Sequence, residues 1–295
     1  MNQEVVRMTE GRLRTFVTVA ETGSVREAAR RLYVTESAVS AAVAGLARDL
    51  GVPLVRRAGR GLALTPPGAV YAGYARQVLG LLEQGRAAAR GAADPARGPL
   101  RLAAVTTAAD ELLPDLLAGF RTRWPDVELT LFVGPRRAVF DRLGAHDADL
   151  VLAGRPPAEL DATVLARHPN DLVVVGAPGL AAGFSLDATP WVMREPGSGT
   201  RATAEAYLAE HDAAPPRLVL GSNGAVVAGA AAGLGAALVS REAVGAHLAD
   251  GRLVVVDAPG TPLDRPWHAV SGPDPTATTR LFVDHLLGAP GWTAA

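Results

Sequence analysis

The sequence contains no cysteine, and all 29 of its basic residues are arginine. Without cysteine, the chain cannot form disulfides, zinc–thiolate centres, iron–sulfur clusters or a catalytic thiol, and it suits a reducing compartment. A GC-rich genome explains the missing lysine more simply than a function does. Arginine nevertheless differs from lysine in recognition, because each guanidinium is a planar donor suited to phosphate and to guanine edges.

Long apolar runs are also missing. The longest, residues 225–239, has 15 residues, fewer than the roughly 18–20 needed to span a bilayer. The N-terminus carries charges where a secretory signal needs an apolar stretch. We therefore expect a cytoplasmic protein with no membrane partner.

Charge is divided unevenly along the 295 residues, a length typical of two domains. Residues 1–90 contain 13 Arg and 7 acidic residues, a net charge of +6, whereas residues 91–295 contain 16 Arg and 23 acidic residues, a net charge of −7. A hydrophobic content of 48% excludes disorder over most of the chain. The pattern predicts a basic module followed by an acidic one.

Three short stretches of the basic module show helical periodicity. Gly23 ends the first helix, and Ser24 with Glu27 forms a capping-box pattern that starts the second. Thr35 is a suitable N-cap for the third helix, which ends at Gly51. The periodic apolar residues are Leu13, Phe16, Val17 and Ala20, then Val25, Ala28, Ala29 and Leu32, then Val39, Val43, Leu46 and Leu50.

Two short helices joined by a tight turn are typical of a helix-turn-helix. In that motif the start of the second helix faces base edges in the major groove. The residues predicted to contact DNA there are Thr35, Glu36, Ser37, Ser40 and Ala41. A plain three-helix bundle with a small-residue face fits the same spacing.

The next segment reads as two short strands around the turn Gly59-Arg60-Gly61. Arg56, Arg57 and Arg60 in this wing can reach phosphates or the minor groove. A solvated charged hairpin is the alternative.

Residues 13–75 resemble, without gaps, the DNA-binding domain of LysR-type transcriptional regulators. The matching residues are Leu13, Phe16, Val19, Ala20, Gly23, Ser24, Ala28, Ala29, Leu32, Ala38, Val39, Ser40, Leu46, Leu50, Gly51, Leu54, Arg57, Leu64, Thr65 and Gly68. The resemblance implies a winged helix-turn-helix over 9–66 that binds double-stranded DNA as a homodimer. Ala41, Ala47 and the pair Glu36-Ser37 depart from the family pattern and leave the base preference open, since Ala41 removes a reader and Glu36 favours a cytosine amino group.

A connecting helix is predicted to begin with Thr65 as N-cap and Pro66 at its first position. Its apolar residues Tyr71, Tyr74, Val78 and Leu81 alternate spacings of three and four, as in a coiled-coil seam. Packing on its own domain is the alternative, whereas the resemblance implies a linker and dimerisation helix over 67–91. Residues 91–99 are rich in Gly and Pro and favour a hinge.

Beyond residue 99, strand and helix patterns alternate, which predicts an α/β domain with a mainly parallel sheet. Strands are expected at 100–105, 127–133, 149–153, 172–175 and 191–193, and helices at 112–124 and 138–143. Ligands of open α/β sheets bind at the carboxyl ends of strands. Two segments fit this rule, residues 105–107 and residues 194–201, which predicts a ligand site there.

Other interpretations of these residues stay open. The Gly-Ser segment fits an ordinary capped turn as well as an anion site at a helix start. Arg201 fits either an anionic ligand or an internal ion pair, and Asn223 fits a ligand donor or, as we favour, a helix cap.

The C-terminal part also resembles the family's effector-binding domain, which is similar to type 2 periplasmic binding proteins. This implies two Rossmann-like subdomains within 99–295, one over 99–170 and 266–295 and the other over 171–265, and a homodimer that pairs into a homotetramer. The resemblance also implies that the effector binds in the cleft between the subdomains, at Thr106, Thr107, Ser198, Gly199, Thr200 and Arg201. The run from Arg194 to Arg201 resembles the branch that regulates carbon fixation and sulfur assimilation, which implies a small anionic effector.

An enzyme needs a nucleophile with its base, a metal cluster or paired carboxylates, and the six histidines form no such pattern. We expect no catalytic residue, metal or cofactor. A stand-alone small-molecule binding protein would explain residues 99–295 but not the basic module. A regulator that binds DNA and a small metabolite explains both.

Overall fold

The computed structural model describes residues 9–59 and 61–295, and the chain divides into two compact units, 1–86 and 87–295. Along the described residues, no helix combines the length and the apolar character needed to cross a membrane. The first unit is built from α1 (Glu10–Thr22), α2 (Val25–Leu32), α3 (Glu36–Leu50), β1 (Val55–Ala58), β2 (Gly61–Leu64) and the first part of α4 (Pro66–Ala93).

The helices of the first unit begin where their caps predict. Ser24 Oγ accepts from the Glu27 N–H at 3.3 Å, and Thr35 Oγ1 accepts from the Ala38 N–H at 3.2 Å. The reciprocal half of the predicted capping box is wrong, because the Glu27 carboxylate instead binds Arg30 at 2.6 Å. The Ser24 N–H donates to Thr22 Oγ1 at 3.3 Å. An arginine one turn later thus outcompetes the backbone for the Glu27 side chain.

The wing is hydrogen-bonded to the turn between α1 and α2 at Gly23. Gly23 adopts φ 63°, a left-handed conformation that favours glycine, and its carbonyl accepts from the Leu62 N–H at 2.7 Å. Strands β1 and β2 pair antiparallel, with Val55 opposite Leu64. The buried core of the unit comprises Leu13, Phe16, Val17, Val19, Ala28, Ala29, Val39, Val43, Leu46, Leu54, Ala72 and Ala75.

Thr65 caps α4 as predicted, accepting from the Gly68 N–H at 3.0 Å. The predicted seam needs one correction: the half-buried Tyr71 ring lies 5.5 Å from the Phe16 ring and packs on the unit's own core. The segment predicted as a hinge also differs, since α4 continues through Gly91. Gly91 and Gly98 are both buried against Thr278, so this segment is packed and not an open loop.

The second unit contains two larger sheets, of six and four strands, and a two-stranded sheet. Its strands are β3 (Pro99–Val105), β4 (Glu128–Gly134), β5 (Leu150–Ala153), β6 (Thr163–His168), β7 (Asp171–Gly176), β8 (Trp191–Arg194), β9 (Arg217–Leu220), β10 (Ala237–Ser240), β11 (Val254–Val255), β12 (Leu263–Asp264), β13 (Trp267–Ser271) and β14 (Thr293–Ala294). Its helices are α5 (Thr106–Glu111), α6 (Leu113–Arg123), α7 (Arg136–Gly144), α8 (Gly199–Glu210), α9 (Asn223–Ala231), α10 (Gly245–Ala249) and α11 (Ala277–Leu287), with 3₁₀ turns at Pro95–Arg97, Pro178–Gly183 and Glu242–Val244.

The sheets are mixed, so the expectation of a mainly parallel sheet is wrong. The larger sheet has the order β14-β6-β13-β5-β3-β4, in which β3 is parallel to β4 and β5 but β13 is antiparallel to β5 and β6. In the second sheet β7 pairs antiparallel with β10, β11 and β12. Parallel β8 and β9 lie beside it, joined through a bridge between Trp191 and Ala236.

The chain passes between the two sheets twice, after β6 and before β13. These crossing segments are hydrogen-bonded to each other: the Arg265 N–H donates to the Asn170 carbonyl at 3.0 Å, and Asn170 Nδ2 donates to the Arg265 carbonyl at 2.8 Å. Both residues line a cavity of this unit.

Candidate functional site

The predicted DNA-facing residues share the exposed side of α3. Glu36, Ser37, Ser40 and Ala41 are exposed, whereas Val39, Val43 and Leu46 on the opposite side are buried. Thr35 is exposed too, and its hydroxyl lies 2.9 Å from Ser37 Oγ while it caps the helix. The start of α3 thus presents small and polar side chains to solvent, as the second helix of a helix-turn-helix does.

The wing arginines differ from most arginines of the first unit. Arg14 and Arg86 bind Glu10 at 2.7 and 2.6 Å and thereby hold the pKa of its carboxyl at about 2. Among the described residues, Arg56 and Arg57 on β1 are exposed and form no ion pair. Arg26 and Arg48 share this property, so the wing carries part of the uncompensated positive charge of this unit. Arg60 lies outside the described residues.

Tyr33 is an exposed residue that the sequence patterns do not single out. It ends α2 with φ 56°, and 97% of its surface is exposed in the turn directly before α3. An aromatic side chain so placed extends the exposed polar face of α3.

The second unit encloses a cavity of about 230 Å³. Its lining comes from both sheets: from the ends of β3, β4 and β5 and the start of α7 on one side, and from β8, β10 and the start of α8 on the other. The lining residues are Val105, Thr106, Thr107, Gly134, Pro135, Arg136, Gly154, Asn170, Leu172, Arg194, Glu195, Pro196, Ser198, Gly199, Thr200, Ser240, Arg265 and Trp267. The volume suits a small metabolite.

Five of the six residues predicted to bind an effector line this cavity: Thr106, Thr107, Ser198, Gly199 and Thr200. Thr106 follows β3 directly, and Thr107 is buried. Ser198 caps α8, its Oγ accepting from the Arg201 N–H at 3.4 Å. Hydroxyl groups that follow β3 and β8 thus line the same cavity.

Arg201 is not part of this lining. Its Nε donates to Glu205 Oε1 at 2.8 Å and its Nη1 donates to the Arg194 carbonyl at 3.2 Å. The internal ion pair, left open as an alternative, is what the structure contains. The favoured role of Asn223 is also wrong: Ser222 caps α9, accepting from the Ala225 N–H at 3.1 Å, and Asn223 is the buried first residue of the helix.

Two arginines that the sequence did not suggest replace Arg201. Arg136 Nη2 donates to the Arg155 carbonyl at 2.7 Å, and Arg265 Nη1 donates to the Gly199 carbonyl at 3.2 Å. Within the described part of the chain, neither guanidinium has a carboxylate partner. Burial, and then the charge of Arg136, lower the pKa of the Arg265 guanidinium. Since arginine stays protonated, both charges persist in the cavity.

Arg194 contributes no free charge to the same cavity. Its Nε and Nη2 each donate to a Glu195 carboxylate oxygen at 2.8 Å. This bidentate bond lowers the pKa of the Glu195 carboxyl. The net positive charge of the cavity therefore resides on Arg136 and Arg265, and the arrangement favours an anionic ligand.

Asn170, Ser240 and Trp267 are further lining residues that sequence reasoning missed. A signal existed for Asn170 and Arg265, because both lie at the predicted boundaries between subdomains, where crossing segments border a cleft. Arg136, Ser240 and Trp267 carry no local pattern that separates them from ordinary sheet residues.

Two family models match the chain. Residues 11–69 match the bacterial regulatory helix-turn-helix protein of the lysR family, and residues 93–290 match the LysR substrate binding domain.

Individual proteins agree with these matches. The RuBisCO operon transcriptional regulator of Acidithiobacillus ferrooxidans is 34% identical over 290 residues, covering 94% of this chain and 93% of that protein. The regulatory domain of CcmR from Synechocystis, solved in complex with 2-PG, is 29% identical with a TM-score of 0.59, covering 64% of this chain and 96% of that one. A full-length OxyR variant from Pseudomonas aeruginosa has the same fold, with a TM-score of 0.71 at 20% identity over 97% of this chain and 98% of that one. The chain belongs to the LysR family of bacterial transcriptional regulators.

Proposed function

We propose that this regulator binds promoter DNA through the exposed face of α3 and responds to a small anionic metabolite bound in the cavity of residues 87–295. Glu36, Ser37, Ser40 and Ala41 would face base edges, with Thr35 at the start of the helix. Arg56, Arg57 and Arg60 would contact phosphates. An assembly acting on chromosomal DNA would work in the cytoplasm.

One observation carries the effector assignment: Arg136 and Arg265 face one cavity with no carboxylate, among the described residues, to balance them. Both arginines are half-buried. Holding two like charges partly out of water is costly, and an anion between them reduces that cost. The backbone at Gly199 and Thr200, where α8 begins, adds N–H dipoles that favour the same sign of ligand.

Two of the similar proteins indicate which chemical class of ligand to expect. One is a regulator of the RuBisCO operon, and the CcmR domain was solved with 2-PG. By this likeness, we infer that the effector here is a phosphate- or carboxylate-bearing metabolite and that the target genes belong to carbon or small-anion metabolism.

The protein would act as a dimer that pairs into a tetramer. Val70, Tyr74, Val78 and Leu81 are exposed on α4 at spacings of four, four and three, which forms an apolar stripe. A second exposed apolar set lies on edge strands of the second unit, at Leu131 and Val133 of β4 and at Leu218 and Val219 of β9. One apolar surface would then form the dimer, and the other would join two dimers into a tetramer.

Calorimetric titration of the full chain tests the anion site. The probes are orthophosphate, 3-phosphoglycerate and, as a neutral control, glycerol. We expect 3-phosphoglycerate to bind and glycerol not to bind. Affinity should fall about 10- to 100-fold in Arg136→Gln and in Arg265→Gln, because each substitution removes charge-assisted hydrogen bonds to the anion.

Arg137→Gln is the matched control, because Arg137 is adjacent in sequence, exposed, paired with Asp141 and absent from the cavity lining. Its affinity should equal that of the unmodified chain. Equal binding by Arg136→Gln, Arg265→Gln and Arg137→Gln would place the anion elsewhere and refute the assignment.

A further inference from the structure

The Arg194 guanidinium, in the wall of the proposed effector cavity, is held by a single carboxylate. Its Nε and Nη2 each donate to a Glu195 carboxylate oxygen at 2.8 Å. Within the described residues, the Arg194 side chain has no other hydrogen-bond partner. Both residues line the cavity. The cavity wall thus contains a third arginine, whose anion-binding fork is occupied by the neighbouring residue.

The two partners of this ion pair differ in how far they reach water. The Arg194 side chain is 8% exposed, whereas the Glu195 side chain is 38% exposed. A buried guanidinium needs an acceptor, because an unpaired buried charge is costly. A carboxylate as exposed as that of Glu195 can exchange its arginine for water at a smaller cost. Glu195 is therefore the partner that can leave, and the group that replaces it must be an anion.

The bidentate geometry indicates which anionic group fits beside Arg194. A guanidinium fork matches the two oxygens of a carboxylate, and the Glu195 carboxylate shows that the space admits one. Because Glu195 is the next residue in the chain, it competes at a high effective concentration. A ligand that is already anchored at Arg136 and Arg265 presents a second anionic group at a comparably high effective concentration, whereas a ligand with one anionic group does not.

We propose that Arg194 is a third anion subsite of the cavity, for which the Glu195 carboxylate and a carboxylate group of the effector compete. This rests on the proposed anion site, in which Arg136 and Arg265 hold the other charge of the ligand. The effector then carries two anionic groups, one of them a carboxylate. The exchange replaces one bidentate carboxylate by another, so the buried Arg194 charge stays paired, and Glu195 turns toward water.

Calorimetric titration of the full chain with 3-phosphoglycerate and glycerol 3-phosphate tests this subsite. The two probes differ only in a carboxylate that stands in place of a hydroxymethyl group. Glu195→Gln removes the competing charge and keeps the shape of the side chain. We expect it to tighten 3-phosphoglycerate about 10-fold and glycerol 3-phosphate less than about twofold. In the Arg194→Gln background, Glu195→Gln should bring no such selective gain, because no guanidinium remains to be released.

Glu205→Gln is the matched control. Glu205 also binds an arginine, Arg201, at 2.8 Å, its side chain is 40% exposed, and it does not line the cavity. Both affinities should stay within about twofold in this variant, since a charge outside the cavity is screened. If Arg194→Gln does not fold, the other chains still decide.

A gain that is absent, equal for both probes, matched by Glu205→Gln or retained without Arg194 would overturn the subsite while the anion site stands. A chain that binds neither probe would overturn both.

Discussion

Arg57 is an exposed arginine without an ion pair among the described residues, whereas most other arginines of this unit bind carboxylates. Arg30 and Arg31 share Glu27, and Arg86 bridges to Glu10. A paired guanidinium must give up its carboxylate before it binds a phosphate, whereas Arg57 need not. The wing therefore offers arginines that can bind phosphate without first losing an ion pair.

Replacing Arg57 with Ala should weaken DNA binding with little change in sequence preference. The slope of log affinity against log salt should become shallower by about 0.9, because the variant neutralises one phosphate fewer and releases correspondingly fewer counterions. Fluorescence anisotropy with labelled DNA from upstream of the gene, at several salt concentrations and against scrambled competitor, measures this.

Arg121→Ala is the control for Arg57→Ala, since it removes the same charge from an exposed position of α6 in the second unit. Its slope should match that of the unmodified chain. If Arg57→Ala leaves the slope unchanged, Arg57 contacts no phosphate.

At single residues, sequence reasoning succeeded where the signal is local. Ser198 follows a predicted strand in the sequence and precedes a helix, and it both caps α8 and lines the cavity. The prediction that Arg201 binds the effector failed, because Arg201 Nε instead donates to Glu205 Oε1, one helical turn away, at 2.8 Å. Arg136 and Arg265 are 129 positions apart in the sequence, and only the fold brings them to one cavity.

The element that matters most for assembly is α4. Tyr71 packs on the domain core, while the stripe of Val70, Tyr74, Val78 and Leu81 remains exposed. Successive members of the stripe lie three or four residues apart and so share one face of the helix. An exposed apolar face of this length marks an association surface.

Leu81→Glu should therefore weaken the dimer, raising its dissociation constant at least about 10-fold, because a carboxylate is buried unpaired at the contact. Leu82→Glu is the matched control: Leu82 is exposed and apolar on the same helix but lies about 100° around it, since each residue advances the helix by that angle. Sedimentation velocity over a concentration series measures both variants. Equal dissociation constants for the two would refute the stripe as the dimer contact.

Elements with local signals were the predictable ones. The helices α2, α3 and α4 begin at their predicted caps, and β3 covers the predicted 100–105. The predicted helix 112–124 is confirmed as α6 (Leu113–Arg123), whereas the short helix α5 (Thr106–Glu111) before it was not predicted. Strand direction was not predictable, because β13 returns to the first sheet after a long excursion and pairs antiparallel there. Periodicity reports which face is buried but not which way a strand runs.

On the scale of the whole molecule, the two proposed functions use separate residues. The DNA-facing set lies within 35–60, whereas every residue lining the cavity lies between 105 and 267. The cavity takes its walls from two sheets that are linked by crossing segments, at Asn170 and Arg265. A ligand that binds both walls biases their relative position by no more than its differential affinity for the two arrangements. Response and DNA affinity should thus be separable by mutation.

Thr107→Val and Ser198→Ala test this separation. Both remove a hydroxyl from the cavity, so we expect each to abolish the change in DNA affinity caused by the tightest-binding probe of the calorimetric panel. DNA affinity without probe should stay within about twofold, because neither side chain belongs to the DNA-facing set and independent sites couple weakly. Ser198→Ala also removes a helix cap, worth about 1 kcal/mol of stability. Ser222→Ala removes the equivalent cap from α9 outside the cavity and should retain the response. A response that persists in both cavity variants would show that the effector binds elsewhere, and one abolished equally in Ser222→Ala would assign the effect to helix stability.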